Sequence, residues 1–423
     1  MVLWHPLKTA IERSPSGNKK INAAPPLILC CSFLILIALG ALALKLPFAT
    51  NEPISWIQSA FTATSAVTVT GLVVVDTGSA FTPFGQGVIA LLIQLGGLGL
   101  MTFAVVTLLA LGNKVGFIQK TVTKAAFNQT DTSTLLSTAK SVLLFAIIVE
   151  SLGVVILTLY WLPELGLQTS FFHALFYTIS AFNNAGFAVL MDVYKSKRWA
   201  ALSTYSKLML ISTVIINIVA LVLIYVIEYD NPKTLQPLSE VGKWLAAWFQ
   251  AVTPRTAGFN TIAIEELRNA STALTMMLMF IGGGSLSTAS GIKVVTFVVL
   301  ILATYSYLRR DKGVTVLRRE IDKESVYKAL ALTLVSAGIT WLAIFTLLIV
   351  EDAPFLDVAF EAVSALGTVG LSRGLTASLS PLGEFIIMFL MFMGRIGPLT
   401  IAYFLASPRS RKLRYPSAQL SIG

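Results

Sequence analysis

Four short stretches of the chain repeat one another, and each ends on a glycine: FTATSAVTVTG (61–71), FYTISAFNNAG (176–186), WFQAVTPRTAG (248–258) and FEAVSALGTVG (360–370). An aromatic residue stands ten positions ahead of every one of these glycines. Three stretches carry Ser-Ala six and five positions before the glycine (Ser65-Ala66, Ser180-Ala181, Ser364-Ala365), and the third has Val252-Thr253 there. A small, flexible residue at one place in four repeats suggests four backbone segments arranged around a single axis. That is how a protein lines a pore narrow enough to strip water from an ion.

The surrounding composition fits such a pore. Of 423 residues, 55% are hydrophobic and 12% charged, and the mean hydropathy is +0.78. Soluble globular domains carry about 25% charged residues, so this is an integral membrane protein. Residues 27–44, 88–111, 141–162, 208–227 and 329–350 are continuous apolar runs. Each is long enough to cross a hydrocarbon core of ~30 Å as a helix, and the lack of alternation argues against barrel strands. The first run is longer than a signal-peptide core and is read as a retained membrane helix. Cys30 and Cys31 lie inside it as packing residues.

The net charge of +10 reports orientation. Of the 31 lysines and arginines, 23 fall in five patches: four in 8–20, four in 114–140, four in 195–207, seven in 309–328 and four in 409–414. Such patches mark cytoplasmic loops, so both termini are expected inside. Membrane spans separate the patches and no aromatics interleave them, which argues against a nucleic-acid partner.

Between basic patches the order is fixed: a long apolar helix goes out, a shorter half-polar one ends at the repeat glycine, and a long helix returns. Short segments such as 54–66 and 171–181 cannot span and are read as re-entrant pore helices, tolerated at membrane depth where they line a wet cavity. Their C-terminal ends aim partial negative charge at that cavity, which favours a cation. This gives an all-α polytopic membrane protein of four helix–pore helix–helix repeats: an N-terminal cytoplasmic segment (1–26), repeats at 27–125, 126–193 and 194–312, and a fourth repeat with cytoplasmic tail (313–423).

One piece is missing from this pattern. From repeat glycine to the lysine opening the next outgoing helix (Lys140, Lys207, Lys328) the intervals are 140−71 = 69, 207−186 = 21 and 328−258 = 70. The second interval is short by the length of a returning helix with its flanks, and the break falls near 188–193. With a single crossing there, the third pore segment would face the wrong side. A returning helix of the second repeat is therefore expected to be absent from this sequence, through residues left out of the numbering or through a deletion.

Four glycine segments in register, together with the glycine-rich stretch below, resemble the Trk/Ktr/HKT superfamily of potassium transporters, most of all the pore-forming membrane subunit of bacterial Ktr-type systems. The resemblance runs from about residue 27 to the C-terminus apart from the break. It implies potassium coordinated by backbone carbonyls just ahead of each glycine: Val69 and Thr70 before Gly71, Asn184 and Ala185 before Gly186, Thr256 and Ala257 before Gly258, Thr368 and Val369 before Gly370. It also implies a gate. Residues 282–291 read Gly282-Gly283-Gly284-Ser285-Leu286-Ser287-Thr288-Ala289-Ser290-Gly291, and Lys293 follows. Glycines and small hydroxyl residues break a helix there, which resembles the intramembrane loop beneath a Ktr filter; the alternative is a close helix contact of small residues. Leu286 and Ser290 stand where family members often have glycine, implying a stiffer loop. Glycines 96, 97 and 99, and 394 and 397, lie one helix length below their filters, as hinges or close-packing points.

Arg395 sits deep in an apolar stretch, where a charge costs at least ~2.5 kcal/mol to insert. The resemblance implies an electrostatic barrier working with the gate loop; an ion pair with Glu150 is the structural alternative. Glu361, Asp357 and Asp76 are placed near the outer mouth. No nucleotide fingerprint or nucleophile constellation is present, so no enzyme is expected. The resemblance implies a homodimer in the bacterial plasma membrane, docked on a cytoplasmic RCK-type nucleotide-binding ring, with sodium as a second ion left open. A secondary transporter of another solute and a non-conducting scaffold subunit are the alternatives. An intact mass settles the first form of the missing helix: 45.6 kDa excludes residues left out of the numbering, and a mass heavier by one helix with flanks supports them.

Overall fold

The computed structural model describes residues 25–97, 135–183, 203–284, 290–311 and 313–397. Hydrocarbon offers the backbone no hydrogen bonds, so apolar runs must satisfy their own N–H and C=O groups as helices. The described residues form α1 (Pro25–Leu44), α2 (Trp56–Thr68), the short α3 (Thr77–Ala80), α4 (Pro83–Gly97), α5 (Leu135–Phe182), α6 (Thr204–Glu228), α7 (Glu240–Val252), α8 (Asn269–Phe280), α9 (Val294–Leu308), α10 (Lys323–Val350), α11 (Phe355–Gly367) and α12 (Pro381–Ile396). Leu144–Phe182, Thr204–Glu228 and Lys323–Val350 are long and apolar enough to cross a membrane.

The expected order appears in three repeats. Helices α1, α6 and α10 go out; α2, α7 and α11 are the short pore helices; α4, the pair α8–α9, and α12 return. In the second repeat the outgoing and pore helices are one element, α5, bent at Gly166 with φ 73°. Pro163 removes a backbone donor nearby, and glycine accepts the left-handed angle without a steric penalty. Serines begin many of these helices. Ser55 closes a capping box with Gln58, while the side chains of Ser203, Ser239 and Ser380 accept from the N–H groups of Ser206, Gly242 and Gly383.

Among the described residues, packing links the repeats in sequence. Helix α4 packs on α5, α8 packs on the pore helix α11, and α12 packs on the pore helix α2. Each returning helix thus leans on the following repeat, and the fourth leans on the first. The equivalent link from the second repeat onto α7 has no described helix to make it, and the break expected at 188–193 lies outside the described residues.

Two carboxylates, the buried Glu228 and the partly exposed Glu351, secure the connectors ahead of two returning helices. Glu228, at the end of α6, accepts from the Arg268 N–H at 3.0 Å, from Asn231 Nδ2 at 2.6 Å and from Thr234 Oγ1 at 2.7 Å. Glu351, after α10, accepts from the N–H and hydroxyl of Ser380 at 3.0 and 2.6 Å. Both hold the residue that precedes a returning helix, so two repeats solve one joint in one way. The all-α architecture gains a small hairpin in the basic 309–328 patch. Val314–Val316 (β1) pairs with Arg319–Ile321 (β2) across a two-residue turn, Leu317-Arg318, with φ 47° and 64°. Positive φ at both central residues matches the twist of the flanking strands.

Between helices in lipid there is no water to expel, so association rests on close packing of small residues. A Cβ on Gly96 of α4 would lie 2.0 Å from the Val67 carbonyl oxygen of α2, and one on Gly394 of α12 would lie 2.2 Å from the Leu366 carbonyl oxygen of α11. Val67 and Leu366 both stand four residues before a repeat glycine. These glycines are packing points. Gly96→Ala and Gly394→Ala should each cost ~1–3 kcal/mol through overpacking, seen as a lower melting temperature in detergent. Gly338→Ala, with nothing within 4 Å, should leave it unchanged.

Candidate functional site: an ion pathway

Pore helices α2 and α11 end alike. The N–H of Val69 donates to Ala66 O at 3.1 Å and that of Thr70 to Ser65 O at 2.9 Å; Thr368 and Val369 repeat the pattern onto Ala365 O and Ser364 O at 3.1 and 2.9 Å. These bonds close each helix on a left-handed residue: Val69 has φ 57° and Thr368 φ 50°. The third repeat places Thr256 at φ 77°. Each of the three stands two positions before a repeat glycine, and those glycines are left-handed too: Gly71 at 93°, Gly258 at 70° and Gly370 at 90°. A β-branched residue with positive φ is a strained outlier costing ~1–3 kcal/mol, found where a surrounding structure over-determines it.

The three described segments meet with backbone against backbone. A Cβ on Gly258 would lie 2.5 Å from Val369 O, and one on Gly370 would lie 2.2 Å from Thr70 O and 3.1 Å from the Gly71 Cα. Segment three therefore abuts four, and four abuts one. The second segment, Asn184-Ala185-Gly186, lies outside the described residues; Asn183 just before it is described and buried. In the first repeat the Ser65 hydroxyl accepts the Gly71 N–H at 3.0 Å, whereas the equivalent Ser364 Oγ is buried without a hydrogen-bond partner. In the third repeat Val252 cannot do this, and the neighbouring Thr253 bonds Phe259 O at 2.5 Å. The leading aromatics divide: Phe61 and Phe360 are fully buried, and Trp248 is exposed.

The returning helix of the third repeat is broken where the glycine run stands, between Phe280 and Val294. The two ends of the break are tied together. Ile292 N–H donates to Phe280 O at 3.1 Å and Val294 N–H to Gly283 O at 3.2 Å. Space is tight: a Cβ on Gly282 would lie 2.1 Å from Ser290 O, one on Gly284 1.6 Å from the Met209 methyl and one on Gly291 2.8 Å from Phe280 O. Lys293 ends the loop as the N-cap of α9. Ser285, Ser287 and Thr288, with the rest of 285–289, lie outside the described residues. The loop touches the fourth segment directly, through Thr368 Oγ1 donating to Ser290 Oγ at 2.9 Å.

Arg395 donates to the carbonyls of Gly96 and Gly97 in α4, lies 5.9 Å from the Phe33 ring and interacts electrostatically with Lys293. Glu150 engages Gln94 instead, at 2.9 and 3.1 Å. The acids expected at the outer mouth are committed elsewhere. Glu361 is fully buried and accepts from Ser372 and from Thr376 Oγ1. Asp357 pairs with Arg373 Nε at 2.6 Å, while Arg373 Nη1 reaches Ile264 O at 3.2 Å and Thr272 Oγ1 at 3.1 Å. The strand leaving the fourth segment is thereby stapled to its own pore helix and to the third repeat. Asp76 caps α3, and its bonds from Ser79 hold the carboxyl below the usual carboxylate range. Sequence reasoning missed the left-handed Val69, Thr256 and Thr368, because propensity argues against them, and missed the Arg373 staple, whose partners are over 100 residues apart in the chain for two of its bonds.

Backbone contact this close makes one substitution more damaging than its counterpart. Gly370→Ala should unfold at lower temperature than Gly71→Ala. Both carry the left-handed penalty, but the first also drives a methyl into Thr70 O, whereas the second finds 3.6 Å of room. Differential scanning of the two purified variants checks this.

Comparison with known proteins agrees with the geometry. The TrkH cation transport protein family matches residues 26–196 and 196–413. The Ktr system potassium uptake protein B of Bacillus subtilis is 43% identical, covering 96% of this chain and 98% of that protein. The potassium/sodium uptake protein NtpJ of Enterococcus hirae is 31% identical over 95% of this chain and 97% of its own length. The crystal structure of the potassium transporter TrkH from Vibrio parahaemolyticus superposes with a TM-score of 0.71 at 18% identity, covering 94% of this chain and 87% of that one. The chain belongs to the TrkH family of cation transport proteins.

Proposed function

We propose that this chain takes up potassium across the bacterial plasma membrane through a four-segment filter, with the broken third returning helix as its gate. The observation that carries the reading is the convergence of Thr70-Gly71, Ala257-Gly258 and Val369-Gly370, backbone to backbone. A dehydrated potassium ion needs several oxygens at close range, and backbone carbonyls supply them. Left-handed residues two positions apart turn the backbone in a way that extended strand does not, and the strain they store is what a fixed ligand cage requires. The residues proposed as ligands are Val69, Thr70 and Gly71, Asn184 to Gly186, Thr256 to Gly258 and Thr368 to Gly370. The names of the Bacillus and Enterococcus relatives support potassium, and the latter's keeps sodium as a second ion.

For the gate we propose Gly282 to Ser285, Ser287, Thr288, Gly291 and Lys293, with Arg395 as a fixed positive charge beneath the filter. The Thr368–Ser290 hydrogen bond supports a loop seated against the filter. The proposed assembly is a homodimer on a cytoplasmic RCK-type ring, with the basic 309–328 patch and its hairpin available for docking. We also propose that a complete protein has the second returning helix. The alignment to the Bacillus protein spans 436 positions, while 96% of 423 residues is about 406, so about 30 positions have no residue of this chain opposite them. The family match also divides at residue 196.

Rubidium uptake into proteoliposomes at fixed membrane potential tests the reading. Potassium should compete far better than sodium, and Gly258→Ser should erode that preference, because its Cβ would lie 2.5 Å from Val369 O at a left-handed φ of 70° and so displace both segments. Equal competition by the two ions in the wild type would leave a pore without a potassium filter.

A further inference from the structure

Glu150 is a carboxylate in the middle of a membrane span, and the ion pathway as described gives it no task. It lies on α5, half-buried. Both of its oxygens accept from Gln94 Nε2 of α4, at 2.9 and 3.1 Å. Gln94 Oε1 in turn accepts from Asn183 Nδ2 at 2.8 Å. Asn183 follows the last residue of α5, and the second filter segment leaves from it. Its Nδ2 also donates to Ile179 O at 2.7 Å, and its amide is wedged against α4, where a Cβ on Gly97 would lie 2.0 Å from Asn183 Oδ1.

The direction of this chain is set at both ends, by Glu150 at one and at the other by the Ile179 carbonyl, which accepts from Asn183 Nδ2. A carboxylate only accepts, whereas a primary amide presents a donor on one side and an acceptor on the other. Glu150 therefore draws the Gln94 NH2 to itself and turns the Gln94 oxygen toward Asn183. That oxygen fixes the Asn183 NH2 and, with it, the rotamer wedged against Gly97. With an apolar residue at 150 the Gln94 NH2 loses its acceptor, and Gln94 must either leave that group unpaired or turn away from Asn183 to satisfy it. At membrane depth such a mismatch is screened by little. A charge is expensive to insert there, and one that is present marks a functional position. The same step of α4 carries a second load, because Arg395 donates to the carbonyls of Gly96 and Gly97.

We propose that Glu150 is a positioning residue for cation selection: through Gln94 it holds Asn183, the root of the second filter segment, in the orientation that selectivity requires. This rests on the potassium reading above and names a determinant of its specificity that touches no ion. The role is that of a hydrogen-bond acceptor and not of a charge.

The test is potassium-against-sodium competition for rubidium uptake in proteoliposomes holding the full chain or one of its variants. Glu150→Leu should reduce the potassium preference by about fivefold, within the range over which side-chain networks modulate coupled sites. Glu150→Gln should keep it within about twofold of wild type, since its amide oxygen still accepts from Gln94. Asn183→Leu should produce the same loss as Glu150→Leu, and the double variant no further loss, because residues in one network are non-additive. Should Glu150→Leu fail to give folded protein, Gln94→Met interrupts the strut and carries the same expectation. Three results would overturn the proposal: unchanged preference in folded Glu150→Leu or Gln94→Met, a Glu150→Gln that behaves like Glu150→Leu, or additive losses in the double variant. A wild type without potassium preference would instead overturn the transport reading on which the strut rests.

Discussion

Backbone meets backbone at the centre of this protein, and that approach governs the rest. Gly258, Gly370 and Gly71 leave no room for a Cβ or lack the angles to carry one, so the third, fourth and first segments touch through main-chain atoms. In hydrocarbon such irregular chain survives only where its polar groups are satisfied or face a wet cavity. The last turns of α2 and α11 meet part of that demand by accepting two N–H groups each from the segment that follows. The Ser65 hydroxyl takes a third in the first repeat. Strain at Val69, Thr256 and Thr368, of order 1–3 kcal/mol apiece, is then held in place by the surrounding packing.

Holding that centre requires the peripheral helices to be fixed relative to one another, and two kinds of fixing do this. At the connectors ahead of the returning helices the fixings are charged and hydrogen-bonded. Glu228, Glu351 and Glu361 each tie a connector, and Arg373 spans from the fourth pore helix to the third repeat. Removing one partner from such a buried arrangement leaves an uncompensated charge, which is why these groups act as staples. Deeper in the bilayer the fixings are small residues, with Gly96 and Gly394 seated on equivalent carbonyls of α2 and α11.

Below the filter the structure departs from its own repeat. Among the described residues, the returning helix of the third repeat is broken between Phe280 and Val294, while those of the first and fourth run unbroken to Gly97 and Ile396. The break is braced by a parallel bridge between Ile281 and Ile292 and is joined to the fourth segment through Ser290 and Thr368. A loop in direct contact with a filter strand gives the two a shared position, so that a change in one is felt by the other. Arg395 and Lys293 bring two positive charges to this level, close enough to repel.

Much of this was legible in the chain itself. Apolar runs bounded by basic patches gave the spans, because a hydrocarbon slab of fixed thickness admits few other solutions. Glycines in register marked where the backbone turns left-handed and segments meet at Gly71, Gly258 and Gly370, because only a repeated backbone requirement keeps one small residue at one offset. The glycine run at 282–284 gave the break in the third returning helix. What the sequence did not give is what depends on distant partners. Glu361 and Asp357 read as mouth acids until Ser372, Thr376 and Arg373 were brought against them. An ion pair of Glu150 with Arg395 was the structural alternative in the sequence, and folding instead paired Glu150 with Gln94, 56 residues away. The left-handed Val69, Thr256 and Thr368 run against local preference altogether. Periodicity and composition record what each segment needs from its solvent, while the partners of buried polar groups are chosen only when helices far apart in sequence are packed together.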